Sequence, residues 1–276
     1  MAAAPSPASA PAPGPAPAAG FAPAAGEVYV YGIVGADHRL RPEHRGVGAP
    51  PTPVRALRRG ELAAVVGGVP DGLRARRRDL LAHQELLLAL AADGPVLPMR
   101  FGMVAPDEAA VLDQLATGHD RYLRALEPLR GRVELNVKAL PVEMQDALAA
   151  LVAGDRRIRR LRDELRRSPG YEASIRLGEA VAAGLAERAA ESADRLLRGL
   201  AKLSDRWVRG PEVTGCVANL SFLVEEKAQA AFQAEVERFA AAHRDRVALR
   251  LTGPLPCYSF VADDTPAHGP RVPAGA

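Results

Sequence analysis

The chain has 276 residues, enough for one large domain or two modest ones, and its 48% hydrophobic and 25% charged residues are typical of globular proteins. A net charge of only +3 excludes a chain that is basic throughout. The most apolar internal run, residues 86–92, is far too short to cross a bilayer, so no membrane partner is expected.

The first 26 residues form a tail of alternating proline and alanine that contains no charged residue before Glu27. Proline lacks the N–H group that helices and sheets need, and the tail has almost nothing to bury, so we expect it to be disordered. It lacks the basic and leucine-rich regions of a signal peptide. Residues 263–276 are predicted to form a similarly flexible tail.

Residues 27–130 predict an N-terminal mixed α/β domain. A run that is apolar on both faces at residues 28–34 is typical of a central strand, and short strands follow at 54–57 and 62–66. Two helices are expected, one over residues 76–92 and one that begins at Pro106. Their predicted apolar stripes contain Leu80, Leu87 and Ala91 in the first helix and Leu112, Leu115, Tyr122 and Leu126 in the second.

Residues 131–262 predict a second domain, because apolar and polar residues alternate in three strands at 133–139, 218–224 and 246–251. Such strands have one buried and one solvent-exposed face, with helices 171–203 and 226–242 covering the former. The residues predicted to pack on it are Ile175, Leu185, Leu196, Leu200 and Leu203 in the first helix and Phe232, Val236 and Phe239 in the second. A short strand near 206–209 completes a βαββαβ order, the ferredoxin-like two-layer arrangement. The basic helix 142–167 is then a helical insertion, and the fold class is α+β with two domains. The predicted solvent-exposed face carries Glu134, Asn136, Lys138, Asn219, Ser221 and Arg250.

No catalytic, cofactor or metal site is legible in the sequence. Nucleophile elbows and phosphate-binding glycine loops are absent, and His83 lacks a second histidine one helical turn later. Cys216 and Cys257 belong to no Cys-x-x-Cys pair and have no histidine at metal-ligand spacing. We therefore expect no enzyme activity, and a reduced cytoplasmic protein with two half-buried thiols.

Two arginine clusters, residues 74–78 and 156–167, leave a nucleic-acid-binding regulator as an alternative. The predicted open face of the sheet offers no aromatic residues on which bases would stack. Asp163 and Glu164 also interrupt the second cluster. Solvated helix surfaces explain both clusters better, so nucleic acid is not the expected partner.

Two segments are too specific for generic packing: PVLPMRFG at residues 95–102 and LTGPLPCYSFV at residues 251–261. They resemble the gas vesicle protein F/L family from about residue 27 to 261, together with residues 29–34, 133–138, 171–172, 177–179 and 219–224. The family's second segment usually reads GPWPPYSF, and here Leu255 and Cys257 replace a tryptophan and a proline.

The resemblance implies an accessory protein of gas vesicle assembly, with a ferredoxin-like C-terminal domain and no catalytic residue or cofactor. Its implied partners are the hydrophobic shell protein and other accessory proteins, and its implied location is the gas vesicle in the cytoplasm. For the two segments themselves we predict architectural roles. Pro98 and Gly102 shape a turn, Arg100 pairs with an internal carboxylate and Phe101 fills the core. The second segment is predicted to form a rigid turn through Gly253, Pro254 and Pro256, with Tyr258 and Phe260 in the core.

Overall fold

The computed structural model describes residues 26–142 and 145–261, and the two predicted tails lie almost entirely outside this part of the chain. It is a mixed α+β protein with two antiparallel sheets and helices, which confirms the predicted class. The elements are, in chain order, β1 (Val28–Gly35), β2 (Val54–Arg59), β3 (Leu62–Gly68), α1 (Arg77–Ala91), β4 (Val96–Pro98), β5 (Val104–Ala105), α2 (Glu108–Thr117), α3 (His119–Leu126), β6 (Arg132–Pro141), α4 (Gln145–Gly154), α5 (Arg156–Arg167), α6 (Tyr171–Leu200), β7 (Arg206–Arg209), β8 (Ala218–Glu225), α7 (Gln229–Ala242) and β9 (Val247–Leu255).

The first sheet has the order β2-β3-β1-β4, with β5 paired to the other end of the same edge of β1. One face of β1 packs with α2 and α3 through Val28, Val30 and Ile33. The opposite face packs with α1 through Tyr29 and Tyr31. Helices on both faces explain why this strand is apolar at successive positions, as predicted for a central strand.

The second sheet has the order β7-β8-β6-β9, and every neighbouring pair is antiparallel. Between β6 and β7 the chain forms α4, α5 and α6, and between β8 and β9 it forms α7. Phe232, Val236 and Phe239 of α7 are buried against this sheet, as their spacing predicts.

The other face of the second sheet differs from its prediction. Glu134 and Ser221 are 4% and 2% exposed, so this end of the face is buried rather than solvated. Leu223 of β8 belongs to the same buried cluster as Leu126 and Phe260, which come from α3 and from the C-terminal segment. The first half of the chain and that segment therefore cover the end of the sheet that the alternation predicts to be open.

Some helix boundaries and packing faces also differ from the predictions. Gly118 divides the helix predicted from Pro106 into α2 and α3. The predicted basic helix 142–167 is two helices, because Asp155 accepts hydrogen bonds from the N–H groups of Arg157 and Ile158 and caps the start of α5. Three residues predicted to pack are instead more than a third exposed: Leu80, Ile175 and Leu203.

A candidate protein interface

The first family segment, residues 95–102, packs around two buried side chains, Tyr29 of β1 and His83 of α1. Pro98 lies in β4, buried and paired with Gly32, whereas Gly102 occupies the following turn with a φ of 82°. The ring of Phe101 packs edge-on against His83 and Tyr29, with centroid distances of 5.7 and 6.1 Å. Phe101 thus contributes to the core, as predicted, although it is partly exposed.

A chain of hydrogen bonds holds this segment in place. Gly102 N–H donates to the Tyr29 hydroxyl (2.9 Å), which lies 3.0 Å from His83 Nδ1, and His83 Nε2 lies 2.9 Å from the carbonyl of Met99. A carbonyl only accepts, so Nε2 carries the proton and Nδ1 accepts from the tyrosine. Burial lowers the pKa of His83, which favours this neutral form.

Arg100 does not form the predicted internal ion pair with a carboxylate within the described part of the chain. Its side chain is exposed, beside Met103, which is 45% exposed. No described carboxylate lies within ion-pair distance of its guanidinium. The turn therefore presents one cationic and one apolar side chain to solvent.

The second family segment, residues 251–261, ends β9 and then crosses the buried end of the second sheet. Gly253 has a φ of 151°, and a Cβ atom there would lie 2.6 Å from Leu135 Cδ2 and 3.0 Å from the carbonyl oxygen of Glu134. Only glycine fits this close approach to β6 without displacement. Beyond it, Glu134 accepts hydrogen bonds from Ser259 N–H (2.9 Å) and Ser259 Oγ (2.6 Å).

The remaining residues of this segment divide between core and surface. Phe260 and Cys257 are each 7% exposed, and Pro256 is buried. Pro254 is exposed. Tyr258 is 37% exposed, so its predicted core position is wrong. The prediction of two half-buried thiols holds for Cys216 but not for Cys257, which is buried; neither forms a disulfide.

Strand β9 forms one edge of the second sheet, and its hydrogen-bonding direction follows from its neighbour β6. The carbonyls of Ala139 and Gly131 accept from Val217 and Glu226 on the β8 side (2.9 and 3.0 Å). Adjacent residues of a strand point their backbone groups in opposite directions, so Lys138 and Leu140 bond toward β9.

The residues that face Lys138 and Leu140 in β9 are Arg250 and Ala248. The N–H and C=O groups of Leu249 and Leu251, which alternate with them, therefore point away from β6. Within the described residues these groups have no hydrogen-bond partner. They form an open edge that can accept another strand, a feature that predictions from side-chain alternation missed because the strand order is not encoded locally.

A cleft of about 690 Å³ opens at the end of β1, lined by Asp37, His38, Glu61 and Asp93 among others. Burial lowers the pKa of His38, and an ion pair with Arg41 lowers that of Asp93. The lining of this cleft contains no Ser, Thr, Cys or Lys, which are common nucleophiles of covalent catalysis. Over residues 26–142 and 145–261, no three His, Cys, Asp or Glu side chains are grouped to hold a metal ion.

The comparisons with known proteins agree with the fold. The family model described as gas vesicle synthesis protein GvpL/GvpF matches residues 27–262. Gas vesicle protein F of Streptomyces sp. (strain CB03234) is 42% identical over 236 residues, which cover 84% of this chain and 98% of that protein. Gas vesicle protein L of the same strain is 35% identical over 261 residues, covering 84% and 91% respectively.

The crystal structure of gas vesicle protein GvpF from Anabaena sp. PCC7120 superposes with a TM-score of 0.71 at 21% identity, over 87% of this chain and all of that one. This likeness concerns the fold. The protein is thus an α+β protein related to gas vesicles. By its sequence it belongs to the GvpL/GvpF family of gas vesicle synthesis proteins. In the described part of the chain, none of the helices combines the length and apolarity required to span a membrane.

Proposed function

We propose that this protein is an accessory or minor structural component of gas vesicle assembly, and that it binds the hydrophobic shell protein by adding a strand of that protein to β9. The observation that carries the proposal is the open edge at Leu249 and Leu251. An open edge captures an extended segment through backbone hydrogen bonds. A shell subunit with a large apolar surface would aggregate before assembly unless a partner covered it.

The side chains along β9 suit such a partner. Leu249 and Leu251 are partly buried against the core of the second sheet, whereas Ala248, Arg250 and Thr252 are exposed. An added strand would therefore continue an apolar layer on one face and meet small or polar side chains on the other. The proposal places the protein in the cytoplasm with the vesicle, together with other accessory proteins.

We also propose that residues 27–130 and 131–262 are separate domains, the second ferredoxin-like with α4 to α6 inserted in its first crossover. The sheet order β7-β8-β6-β9 supports this organisation. In this proposal the two family segments act mainly as architecture: residues 95–102 join β1 to α1, and residues 251–261 fix the end of β9 against Glu134.

The test compares three substitutions in β9 by co-purification with the shell protein of the same organism after co-expression. Leu249→Pro removes an N–H that points away from β6, so the sheet stays paired while the edge is blocked. Leu249→Ala is the matched control, because it loses a similar part of the side chain but keeps the N–H. Arg250→Pro removes an N–H that points toward β6 and is expected to unfold the strand.

We expect the alanine variant to recover the shell protein like the natural chain, and the folded proline variant to recover at least about tenfold less. Circular dichroism and thermal unfolding establish that both Leu249 variants are folded. Equal recovery by the Leu249→Pro and Leu249→Ala variants would exclude β9 as the contact. Failure of the natural chain to recover any shell protein would reject the proposed function itself.

A further inference from the structure

Helix α5 carries the larger of the two arginine clusters of the chain. Its twelve residues, Arg156–Arg167, contain seven arginines and two acidic residues, whereas the whole chain has a net charge of only +3. The remainder of the protein is therefore slightly acidic. The uneven distribution marks this helix as a local source of positive potential.

The arginines of α5 lie on the face that points away from the protein. Ile158 is buried, and Leu161 and Leu165 lie beside it at helical spacing, so this face packs on α6. Arg156, Arg160 and Arg167 lie on the opposite face and are exposed.

These outward charges are largely unneutralised within the described part of the chain. Within the described residues, α5 forms an ion pair between Arg162 and the neighbouring Asp163, with a distance of 3.3 Å between nitrogen and oxygen. Arg167 contacts Asp163 through that residue's backbone carbonyl, at 3.3 Å. Arg156 and Arg160 lie within ion-pair distance of no described carboxylate.

Apolar groups stand exposed next to this basic face. Tyr171, the first residue of α6, is 83% exposed, and Ile175 one turn later is 41% exposed. A shallow depression of about 570 Å³ lies at the tip of the α5–α6 hairpin. Its charged and aromatic lining consists of Arg167, Tyr171 and Arg176 with the carboxylates of Glu164 and Glu172. Arginine and tyrosine at a protruding tip are the residue types that protein interfaces favour.

We infer that the outer face of α5 and the adjoining tip at Tyr171 form a docking surface for an acidic amphipathic helix of a partner protein. Charge complementarity identifies the occupant. At about 1.5 Å per residue, Arg156 and Arg160 lie about 6 Å apart along the helix axis and Arg167 lies about 10 Å beyond, and carboxylates one and two turns apart on another helix match these spacings. Tyr171 and Ile175 would meet the apolar stripe of that helix. This surface is separate from β9 and does not depend on the function proposed for that strand.

A nucleic acid fits this surface less well. Binding of single strands relies on several aromatic side chains for successive bases, and the tip offers Tyr171 alone. Asp163 lies in the same row as Arg156, Arg160 and Arg167. It would repel the evenly repeated charges of a phosphate backbone, whereas a partner helix can place a neutral or basic residue opposite it.

The test uses a synthetic amphipathic helical peptide of about 20 residues, with glutamates one turn apart beside a leucine stripe, and fluorescence anisotropy of the full-length protein. A second peptide has glutamine at each glutamate position, and a poly-uridine oligonucleotide of about 20 nucleotides is the third probe. The variant Arg156→Gln/Arg160→Gln/Arg167→Gln is compared with Arg74→Gln/Arg76→Gln/Arg77→Gln. The control removes the same charge from the other arginine cluster, whose residues are also exposed.

We expect the α5 triple variant to bind the acidic peptide about tenfold more weakly and the control triple variant to change affinity less than about twofold. Tyr171→Ala by itself should weaken binding of the acidic peptide several-fold. The natural chain should show no detectable binding of the glutamine peptide. Equal losses in both triple variants, or equal affinity for both peptides, would overturn the inference. Tighter binding of the oligonucleotide that requires the same three arginines would assign the surface to nucleic acid instead.

Discussion

Glu134 and Ser259 are 125 positions apart in the chain and form a two-point contact: one carboxylate oxygen accepts from Ser259 Oγ at 2.6 Å and the other from Ser259 N–H at 2.9 Å. Glu134 is buried in β6, and Ser259 also lies 3.2 Å from Ser221 Oγ on β8. The contact ties the segment after β9 to the centre of the second sheet. A carboxylate so placed stabilises the fold only while both donors are present.

We expect Ser259→Ala to lower the free energy of unfolding by about 1–2 kcal/mol, because one charge-assisted hydrogen bond is lost while the backbone bond remains. Glu134→Ala should cost more, about 3 kcal/mol, since it leaves a cavity and removes the acceptor of two partly buried donors of Ser259. Urea denaturation monitored by fluorescence of Trp207 measures both. Glu212→Ala, at an exposed position, is the control and should have an effect below about 0.5 kcal/mol.

The same contact marks where prediction from the sequence ends. The packing face of α7 follows from the spacing of Phe232, Val236 and Phe239, since helical period alone decides which side is apolar. Glu134 has the same alternation in β6 as Asn136, yet it is buried because a distant segment covers it. Local pattern carries no information about such covering. The same limit applies to Leu80 and Ile175, which have the right period but are 42% and 41% exposed.

The strand order of the second sheet also lies beyond local pattern. Alternation predicts that residues 246–251 form a strand but not that the strand stands at an edge. The open edge of β9 can therefore be identified only from the strand pairing, in which Lys138 faces Arg250 and Leu140 faces Ala248.

Two glycines form a matched pair for testing the close approach of β9 to β6. Gly253→Ala places a methyl group 2.6 Å from Leu135 Cδ2 at a φ that L-residues rarely adopt, so we expect a loss of at least about 2 kcal/mol. Gly178→Ala lies on the exposed surface of α6 with no atom within 4 Å of the new Cβ. It should stabilise the protein by about 0.5–1 kcal/mol, because alanine favours the helix.

Thermal unfolding of the two alanine variants beside the natural chain provides the measurement. Opposite signs of the change in melting temperature are expected. A Gly253→Ala protein as stable as the natural chain would mean that the close approach of β9 to β6 at this residue does not contribute to stability.

The buried His83 makes stability depend on pH. Burial lowers its pKa in the folded protein, and in the unfolded chain the pKa is about 6.5. Between these two values the unfolded state binds more protons, so the stabilising contribution is complete above about pH 6.5 and is lost as the pH falls below it. Protonation would also remove the acceptor at Nδ1 that Tyr29 uses. Burial lowers the pKa of His38 as well, and it contributes with the same sign.

Urea denaturation at a series of pH values from about 7.5 to about 5 tests this effect. Each pH unit below the unfolded pKa costs at most about 1.4 kcal/mol per histidine. His83→Gln should be less stable at neutral pH but show a shallower decline on acidification. A decline of unchanged slope in this variant would assign the pH dependence to other groups.

The two cysteines should differ sharply in reactivity. Burial, with the nearby Glu134 carboxylate as a second cause, raises the pKa of Cys257 to about 12, whereas Cys216 is partly exposed. Because the thiolate is the nucleophile, we expect iodoacetamide to modify Cys216 quickly in the folded protein and Cys257 at least about 100-fold more slowly.

Mass spectrometry identifies which cysteine reacts. Cys216→Ser should abolish the fast modification and Cys257→Ser should leave it unchanged, while in denaturant both thiols of the natural chain should react at similar rates. Fast modification of Cys257 in the folded protein would require that the segment carrying it leaves the buried cluster with Phe260 and Leu223. The rate at Cys257 therefore measures how often the end of β9 detaches from the sheet.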